Sequence, residues 1–134
     1  MIVVDDRLSL EALAGRLGTL AADGPLVTTW GFHYRLVRAL SDDAQVGRLT
    51  RASTATLRQS AIAPPPGVLM VLDPRSLTET AARMAIRHRL NLLAAELVAA
   101  AAYHSATVAL AAGNVGRGWP DVLAAEGISL QLIG

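Results

Sequence analysis

The sequence predicts an α/β fold, a three-layer α/β/α sandwich with a central parallel sheet of about five strands. Two observations support this class: short apolar runs recur along the chain, and most are followed by a segment with the spacing or composition of a helix. Such alternation requires helical crossovers between parallel strands, with helices on both faces of the sheet. Because 134 residues suffice for one core but not for two, we expect a single domain over residues 1–134.

The predicted strands are short runs of β-branched and aliphatic residues. The first, Ile2-Val3-Val4, is apolar without interruption, which is typical of a strand buried on both faces. The third follows the sequence Pro64-Pro65-Pro66-Gly67, a rigid connector that excludes helix. The five strands are predicted at residues 2–4, 26–29, 68–72, 106–110 and 128–133.

The predicted helices have leucines at three- and four-residue steps or a run of alanines. Asp23-Gly24-Pro25 ends the first helix, and Thr29 is the expected N-cap of the second. Ser76 and Glu79 form a capping-box pattern at the start of the fourth. The helices are predicted at residues 8–22, 30–40, 43–60, 77–87, 92–103 and 119–126.

Composition restricts the location and the partners of the protein. There is no Cys, and the longest apolar stretch, at residues 92–103, contains Glu96 and is too short to cross a bilayer. The first residues lack the basic segment of a signal peptide, so we expect a cytoplasmic protein with no membrane partner. Hydrophobic residues make up 52% and the mean hydropathy is +0.39, which favours burial of apolar surface in a homodimer or complex. A net charge of +1 excludes a strong whole-molecule field for nucleic acid.

Several predicted strands end in residues that are able to bind a ligand. In open parallel sheets, functional sites lie at the carboxyl ends of the strands, near the switch in strand order. The first candidates for a site are therefore Asp5-Asp6, Thr28-Thr29, Asp73 and Gly113-Asn114.

A family resemblance emerges from the order of several segments. The chain begins Met1-Ile2-Val3-Val4-Asp5, and the helix after its second strand ends Arg38-Ala39-Leu40. Arg87-His88-Arg89-Leu90-Asn91-Leu92 then leads into an alanine-rich helix, and strands at 106–110 and 128–133 close the chain. In this order and spacing the sequence resembles the PIN domain family, particularly the small VapC-type toxins of bacterial toxin–antitoxin pairs. The resemblance covers essentially the whole chain.

The resemblance implies a metal-dependent ribonuclease, in which three or four carboxylates at the carboxyl end of the sheet hold Mg²⁺ or Mn²⁺. Hard divalent cations prefer oxygen ligands, and they activate water and stabilise the charge that develops on phosphate. This sequence departs from that pattern. Asp5 matches the first acid, but Arg35 stands where the second is expected. The third position falls on Ala94 or, two residues along, on Glu96, and the fourth falls on Ala112 or Asn114.

The departure predicts a remnant catalytic site of Asp5, Glu96 and Asn114, with Asp5, Asp6 and Glu96 as the ligands of any Mg²⁺ or Mn²⁺. Arg35 is expected to pair with Asp5 or Glu96 and so to replace the metal by a fixed cation, because unpaired buried carboxylates are costly. The structural alternative is that Asp5 ends a buried strand and caps the next turn, with Asp6 as a turn residue.

Five arginines lie between residues 31 and 60: Arg35, Arg38, Arg48, Arg51 and Arg58. They are candidates for binding the RNA backbone or an acidic, antitoxin-like protein tail, and a solvated helical face is the structural alternative. Trp30 and Tyr34 are the aromatic residues nearby that could stack on bases.

Two functional hypotheses follow. The first is a PIN-like domain with a decayed nuclease site that acts by binding protein or RNA, as a homodimer or within a complex. The second is an active endoribonuclease of the toxin type, which uses Mg²⁺ or Mn²⁺ to cleave single-stranded RNA. Metal binding and RNA cleavage distinguish the two.

Overall fold

The computed structural model describes residues 1–42 and 51–134, apart from the side chains of residues 51–54. Its strands are β1 (Ile2–Val4), β2 (Leu26–Thr28), β3 (Met70–Val71), β4 (Thr107–Ala111) and β5 (Leu130–Ile133). Its helices are α1 (Asp6–Leu13), α2 (Gly18–Ala21), α3 (Trp30–Ser41), α4 (Arg51–Ile62), α5 (Thr78–His88), α6 (Leu92–His104) and α7 (Trp119–Ala125). Short 3-10 helices follow β3 and β4, at Pro74–Leu77 and Ala112–Asn114.

The five strands form one parallel sheet in the order β3-β2-β1-β4-β5. The predicted fold class is confirmed. β1 is central, and it pairs with β2 and β4 at the same three residues, so Val4 lies between Thr28 and Ala109. Consequently the segments that follow β1 and β4 emerge side by side at the carboxyl edge of the sheet.

Alternate residues of β1 point into two different hydrophobic clusters. Val3 packs in the larger cluster, which the strands share with α5, α6 and α7. Ile2 and Val4 pack in the other, which includes residues of α1 and α2. Helices therefore cover both faces of the sheet. A third cluster, with Leu36, Leu40 and Ala61, joins α3 to α4 beside α1.

α6 is buried around its whole circumference. Every residue from 94 to 101 is buried, which is expected of a helix that is apolar on all sides. Seven of these eight residues are Ala, Leu or Val, and Glu96 is the exception. A carboxylate in this position requires a polar partner.

Some predicted boundaries are wrong. The helix predicted at 8–22 is two helices, because Gly15 has a φ of +76° and ends the first one just after Leu13. The capping box is also wrong: α5 begins at Thr78 with Leu77 as an N-cap that has no side-chain hydrogen bond. Pro74 instead starts a 3-10 turn that contains Ser76, so the helix begins later than expected. Thr29 does cap α3, since its hydroxyl accepts from the Phe32 N–H.

The helix predicted at 43–60 is described only from Arg51 onward. Arg48 lies outside the described residues, and so does the side chain of Arg51. Among the described helices, none is both long and apolar enough to cross a membrane.

Candidate functional site

Asp5 lies at the carboxyl end of β1 and is completely buried, with 0% of its surface exposed. Its Oδ1 accepts from the Leu8 N–H at 2.8 Å, so it is the N-cap of α1. Its Oδ2 accepts from the Ala111 N–H at 2.9 Å and from Asn114 Nδ2 at 3.0 Å. Three N–H donors therefore compensate the carboxylate for its lost hydration.

Asn114 connects the two neighbouring acids. The 3-10 turn after β4 brings its side chain to the end of β1, where Nδ2 donates to Asp5 Oδ2 and, at 2.8 Å, to Asp6 Oδ1. A side-chain NH₂ group has two hydrogens, and both are used. The structure thus brings Asp5, Asp6 and Asn114 together, as the remnant site requires for Asp5 and Asn114.

Arg35 contacts Asp6 rather than the expected partners. Its Nε lies 3.5 Å from Asp6 Oδ2, across the mouth of the site from α3. The expected pairing with Asp5 or Glu96 is wrong. We call Asp5 and Asp6 the acid pair. Asp5 is buried and already accepts three N–H bonds, so Asp6 is the member of the pair that a side chain from α3 reaches.

The side chain of Glu96 binds the N-terminus of α3. Its side chain accepts from the Gly31 N–H at 2.7 Å, at the N-terminus of α3, where an N–H would otherwise lack a partner. Gly31 permits the approach, because a Cβ there would stand 3.2 Å from Glu96 Oε1 and 3.1 Å from Leu93 Cδ1. Ala94 is buried in α6, and the carboxylate of Glu96 binds the Gly31 N–H rather than joining Asp5.

The groups around Asp5 and Asp6 do not fit a divalent cation. Both oxygens of Asp5 already accept N–H bonds, and Asn114 turns its NH₂ group toward the two carboxylates. Arg35 adds a positive charge beside Asp6, which opposes a second cation. Within residues 1–42 and 51–134, no three His, Cys, Asp or Glu residues group together to hold a metal ion.

The other predicted strand ends have structural roles. Thr28 is buried, and its hydroxyl donates to the Val4 carbonyl at 2.8 Å. Asp73 is exposed and accepts from the main chain and guanidinium of Arg75. The hydrogen bonds from Arg75 lower the pKa of Asp73 below its ordinary value. These residues do not extend the site.

An open cleft of about 550 Å³ lies beside the acid pair. Asp6 and Asn114 line it at the carboxyl edge of the sheet, and three arginines line it from α1 and α3: Arg7, Arg35 and Arg38. Leu10, Leu36, Ala39 and Asp42 are the other described residues that line it. We call this the arginine cleft. Sequence analysis missed Arg7, although its place one residue after the acid pair puts it at the same sheet edge.

The predicted basic segment does not form one surface in the described part of the chain. Arg35 and Arg38 line the arginine cleft. Arg58 does not: its Nε donates to the Leu40 carbonyl at 3.0 Å and holds α4 against the end of α3. His33 makes a second such link, because its Nε2 lies 2.7 Å from the Ala61 carbonyl.

α3 also carries exposed aromatic residues. Trp30 is 50% exposed and Tyr34 is 52% exposed, and their rings stack with centroids 5.7 Å apart and planes within 16°. Arg38 is exposed one turn further along. Residues four apart lie on the same side of a helix, so two aromatic rings and a guanidinium form a continuous stripe. We call Trp30, Tyr34 and Arg38 the α3 stripe.

No protein-family model matches this sequence, and no curated protein matches it. The strand order β3-β2-β1-β4-β5 occurs in doubly wound α/β folds that have many functions. Function is therefore argued from the contacts at the acid pair, the arginine cleft and the α3 stripe.

Proposed function

We propose that this chain is a cytoplasmic PIN-like domain with a decayed nuclease site, and that it acts by binding single-stranded RNA without cleaving it. The bond pattern of Asn114 carries the proposal. A nuclease of this type needs converging carboxylate oxygens that are open to Mg²⁺ or Mn²⁺. Here an amide donates to both Asp5 and Asp6, and Arg35 neutralises Asp6, so the acid pair is satisfied by the protein itself.

The α3 stripe supports RNA as the ligand. Proteins bind single strands through aromatic side chains that stack on bases and basic groups that follow the backbone. Trp30 and Tyr34 supply exposed rings, and Arg38, one turn further along α3, lines the arginine cleft. The positive charge is confined to this part of the surface, and the net charge of the chain is only +1. We therefore expect a modest affinity for RNA that weakens as the salt concentration rises.

The test is fluorescence anisotropy with a short single-stranded RNA in EDTA, followed by gel analysis of the same RNA with Mn²⁺. We expect binding in EDTA and intact RNA with Mn²⁺. Tyr34→Ala should weaken binding about tenfold, since stacking contributes roughly 1–3 kcal/mol per base. Tyr103→Ala is the matched control, because Tyr103 is equally exposed on α6.

Two results would contradict the proposal. Absence of binding at low salt would exclude RNA as the ligand. Cleavage that requires Mn²⁺ and disappears in Asp5→Asn would show the alternative function, an active toxin-type endoribonuclease.

A second candidate function is protein binding as a homodimer, and one surface favours it. An apolar groove of about 600 Å³ lies between α5, α6 and the start of α3, with Leu77, Ala81 and Ala95 among its lining residues. Leu92 at its edge is 75% exposed. If a second copy covers this groove, sedimentation equilibrium should give a dimer that Leu92→Ser dissociates. Leu132→Ser, at an exposed site on β5, should leave the dimer intact.

A further inference from the structure

We infer that the arginine cleft is a metal-independent site for a terminal phosphate group of RNA, bound by Arg7, Arg35 and Arg38. The inference rests on the proposed RNA-binding function and specifies which part of the RNA the cleft recognises. The shared chemistry is a phosphomonoester, and it is present at either a 5′ or a 3′ phosphorylated end.

The walls of the cleft approach from two directions. Arg35 and Arg38 project from α3, and Arg7 projects from α1 near the 3-10 turn at Ala112–Asn114. Asn114 and Asp6 also line the cleft, joined by a hydrogen bond of 2.8 Å. A volume of about 550 Å³ falls in the range of roughly 300–1,000 Å³ typical of small-molecule sites. A phosphate group therefore has room to meet guanidinium groups on both sides.

The lack of a side chain at Gly113 leaves room for the Arg7 guanidinium. A Cβ at residue 113 would stand 3.1 Å from Arg7 Nη1, which is closer than ordinary contact between such atoms. The guanidinium of Arg7 thus packs over a glycine in the turn that also supplies Asn114. An alanine at 113 would require the Arg7 guanidinium to shift by a few tenths of an ångström.

The charges of the cleft favour an anion. Among the described lining residues, Arg7, Arg35 and Arg38 contribute three positive charges, against one negative charge each from Asp6 and Asp42. The repulsion from Asp6 is reduced, because Oδ1 accepts from Asn114 and Oδ2 lies beside Arg35. Asp5 is completely buried and is not among the described lining residues of the cleft, and its oxygens already accept three N–H bonds.

A terminal phosphate fits three arginines better than an internal one does. A phosphomonoester carries about −1.5 to −2 charge at pH 7 and three acceptor oxygens. A diester carries a single charge and two non-bridging oxygens. Because guanidinium groups bind such oxygens through paired, charge-assisted hydrogen bonds, the extra oxygen and charge should raise affinity about tenfold.

The experiment compares three RNAs of one sequence, with a 5′-phosphate, a 3′-phosphate or hydroxyl groups at both ends. Anisotropy is measured in EDTA, and binding of inorganic phosphate is followed separately by ³¹P NMR. We expect saturable binding of inorganic phosphate, and affinity about tenfold higher for one or both phosphorylated RNAs than for the hydroxyl-ended RNA. Comparing the two ends shows which source of phosphomonoester the cleft takes.

Variants locate the effect in the arginine cleft. Arg35→Gln and Arg7→Gln should each abolish the preference for a phosphorylated end while the hydroxyl-ended RNA still binds. Gly113→Ala should reduce the same preference to a smaller extent, because its Cβ displaces the Arg7 guanidinium without replacing an arginine. Arg83→Gln and Gly18→Ala are the controls, because Arg83 pairs with Glu79 on α5 and a Cβ at Gly18 meets nothing within 4 Å. Circular dichroism checks that each variant is folded.

The outcomes separate this inference from the proposed function. If all three RNAs bind equally and inorganic phosphate does not bind, the inference is overturned and RNA binding stands. If phosphate binds through Arg7 and Arg35 but no RNA binds, the cleft is an anion site and the RNA-binding function fails. A preference that Arg35→Gln, Arg7→Gln and Gly113→Ala all leave unchanged would also overturn the inference.

Discussion

At the scale of single residues, Asp5 combines complete burial with a full set of hydrogen bonds. Its two oxygens accept from two main-chain N–H groups and one side-chain amide. A buried charge that loses such partners costs several kcal/mol, whereas a buried charge that keeps them is tolerated. The stability of the sheet edge therefore depends on this one side chain, whatever ligand binds nearby.

Replacing Asp5 by Asn should lower the free energy of unfolding by about 2–4 kcal/mol. The amide has the same shape, but its NH₂ group would face N–H donors from Leu8 or from Ala111 and Asn114. Urea denaturation in EDTA measures the loss. Asp121→Asn, at an exposed site in the first turn of α7, is the control and should change stability by less than about 0.5 kcal/mol. A loss equally small for Asp5→Asn would show that the enclosed carboxylate contributes little.

Arg35→Glu should give the acid pair an affinity for Mn²⁺ that we do not expect of the natural chain. The substitution removes the cation beside Asp6 and adds a third carboxylate near the acid pair. Isothermal titration calorimetry should show saturable Mn²⁺ binding in Arg35→Glu only. Arg38→Glu, one turn along α3, controls for the change in net charge. If Arg35→Glu also binds no Mn²⁺, the match of Arg35 to the family's second acid is wrong.

At the scale of elements, Glu96 fastens α6 to the start of α3. The sequence showed that Glu96 needs a partner, but α6 is apolar on all sides and so gave no indication of which way each residue faces. The partner is a main-chain N–H, and a glycine is required for the approach. Contacts of this type depend on how two helices pack, which the local pattern of neither helix contains.

Gly31→Ala should destabilise the protein by about 1 kcal/mol, although alanine is the better helix former. The new Cβ would meet Glu96 Oε1, which the hydrogen bond to the residue 31 N–H holds in place, and the packed Leu93 side chain. Gly18→Ala in α2 is the control, because open space surrounds the site and helix propensity alone should then stabilise by up to about 1 kcal/mol. Thermal unfolding of both variants measures the difference. Equal stabilisation in both would show that α3 and α6 separate easily.

A second link joins α5 to α7. Glu126 Oε1 lies 2.7 Å from His88 Nε2 and 2.7 Å from Arg87 Nη1. The hydrogen bonds from His88 and Arg87 lower the pKa of Glu126 below its ordinary value of 4.5. A carboxyl group whose pKa is lower in the folded state stabilises the protein above its unfolded pKa, and this contribution is lost as the pH falls through the folded pKa.

Glu126→Gln should therefore lower stability near pH 7 by about 1–2 kcal/mol and have little effect once the pH is well below 4.5. Urea midpoints measured from pH 7 down to pH 3 test this. Glu79→Gln is the control, since Glu79 is 85% exposed in an ion pair within α5. If the gap between Glu126→Gln and the natural chain stays constant as the pH falls, the pairing contributes nothing to acid sensitivity.

At the scale of the whole molecule, strand order decides which predicted residues meet. Parallel strands place their carboxyl ends on one edge, so the sequence could predict that Asp5 and Asn114 share that edge. The pairing of β1 with β4 then puts Asn114 against Asp5, 109 positions away along the chain. Arg7 lies at the same edge, and its place directly after Asp6 was the sequence signal that could have identified it. Boundaries were predicted less well, because Gly15 divides one helix and Pro74 delays the start of another.

The hydrogen bond from the Ala111 N–H to Asp5 has a consequence for folding order and hydrogen exchange. It joins positions 106 residues apart, so it forms only after β1 and β4 have found each other. Contacts between distant parts of a chain are slow to form because loop closure costs entropy before they stabilise anything. The Ala111 amide should therefore exchange with solvent only through global unfolding, and its protection should fall by the same free energy as overall stability when Asp5 is replaced. The amide of Ala111 would then report when β1 and β4 are paired and the protein is fully folded.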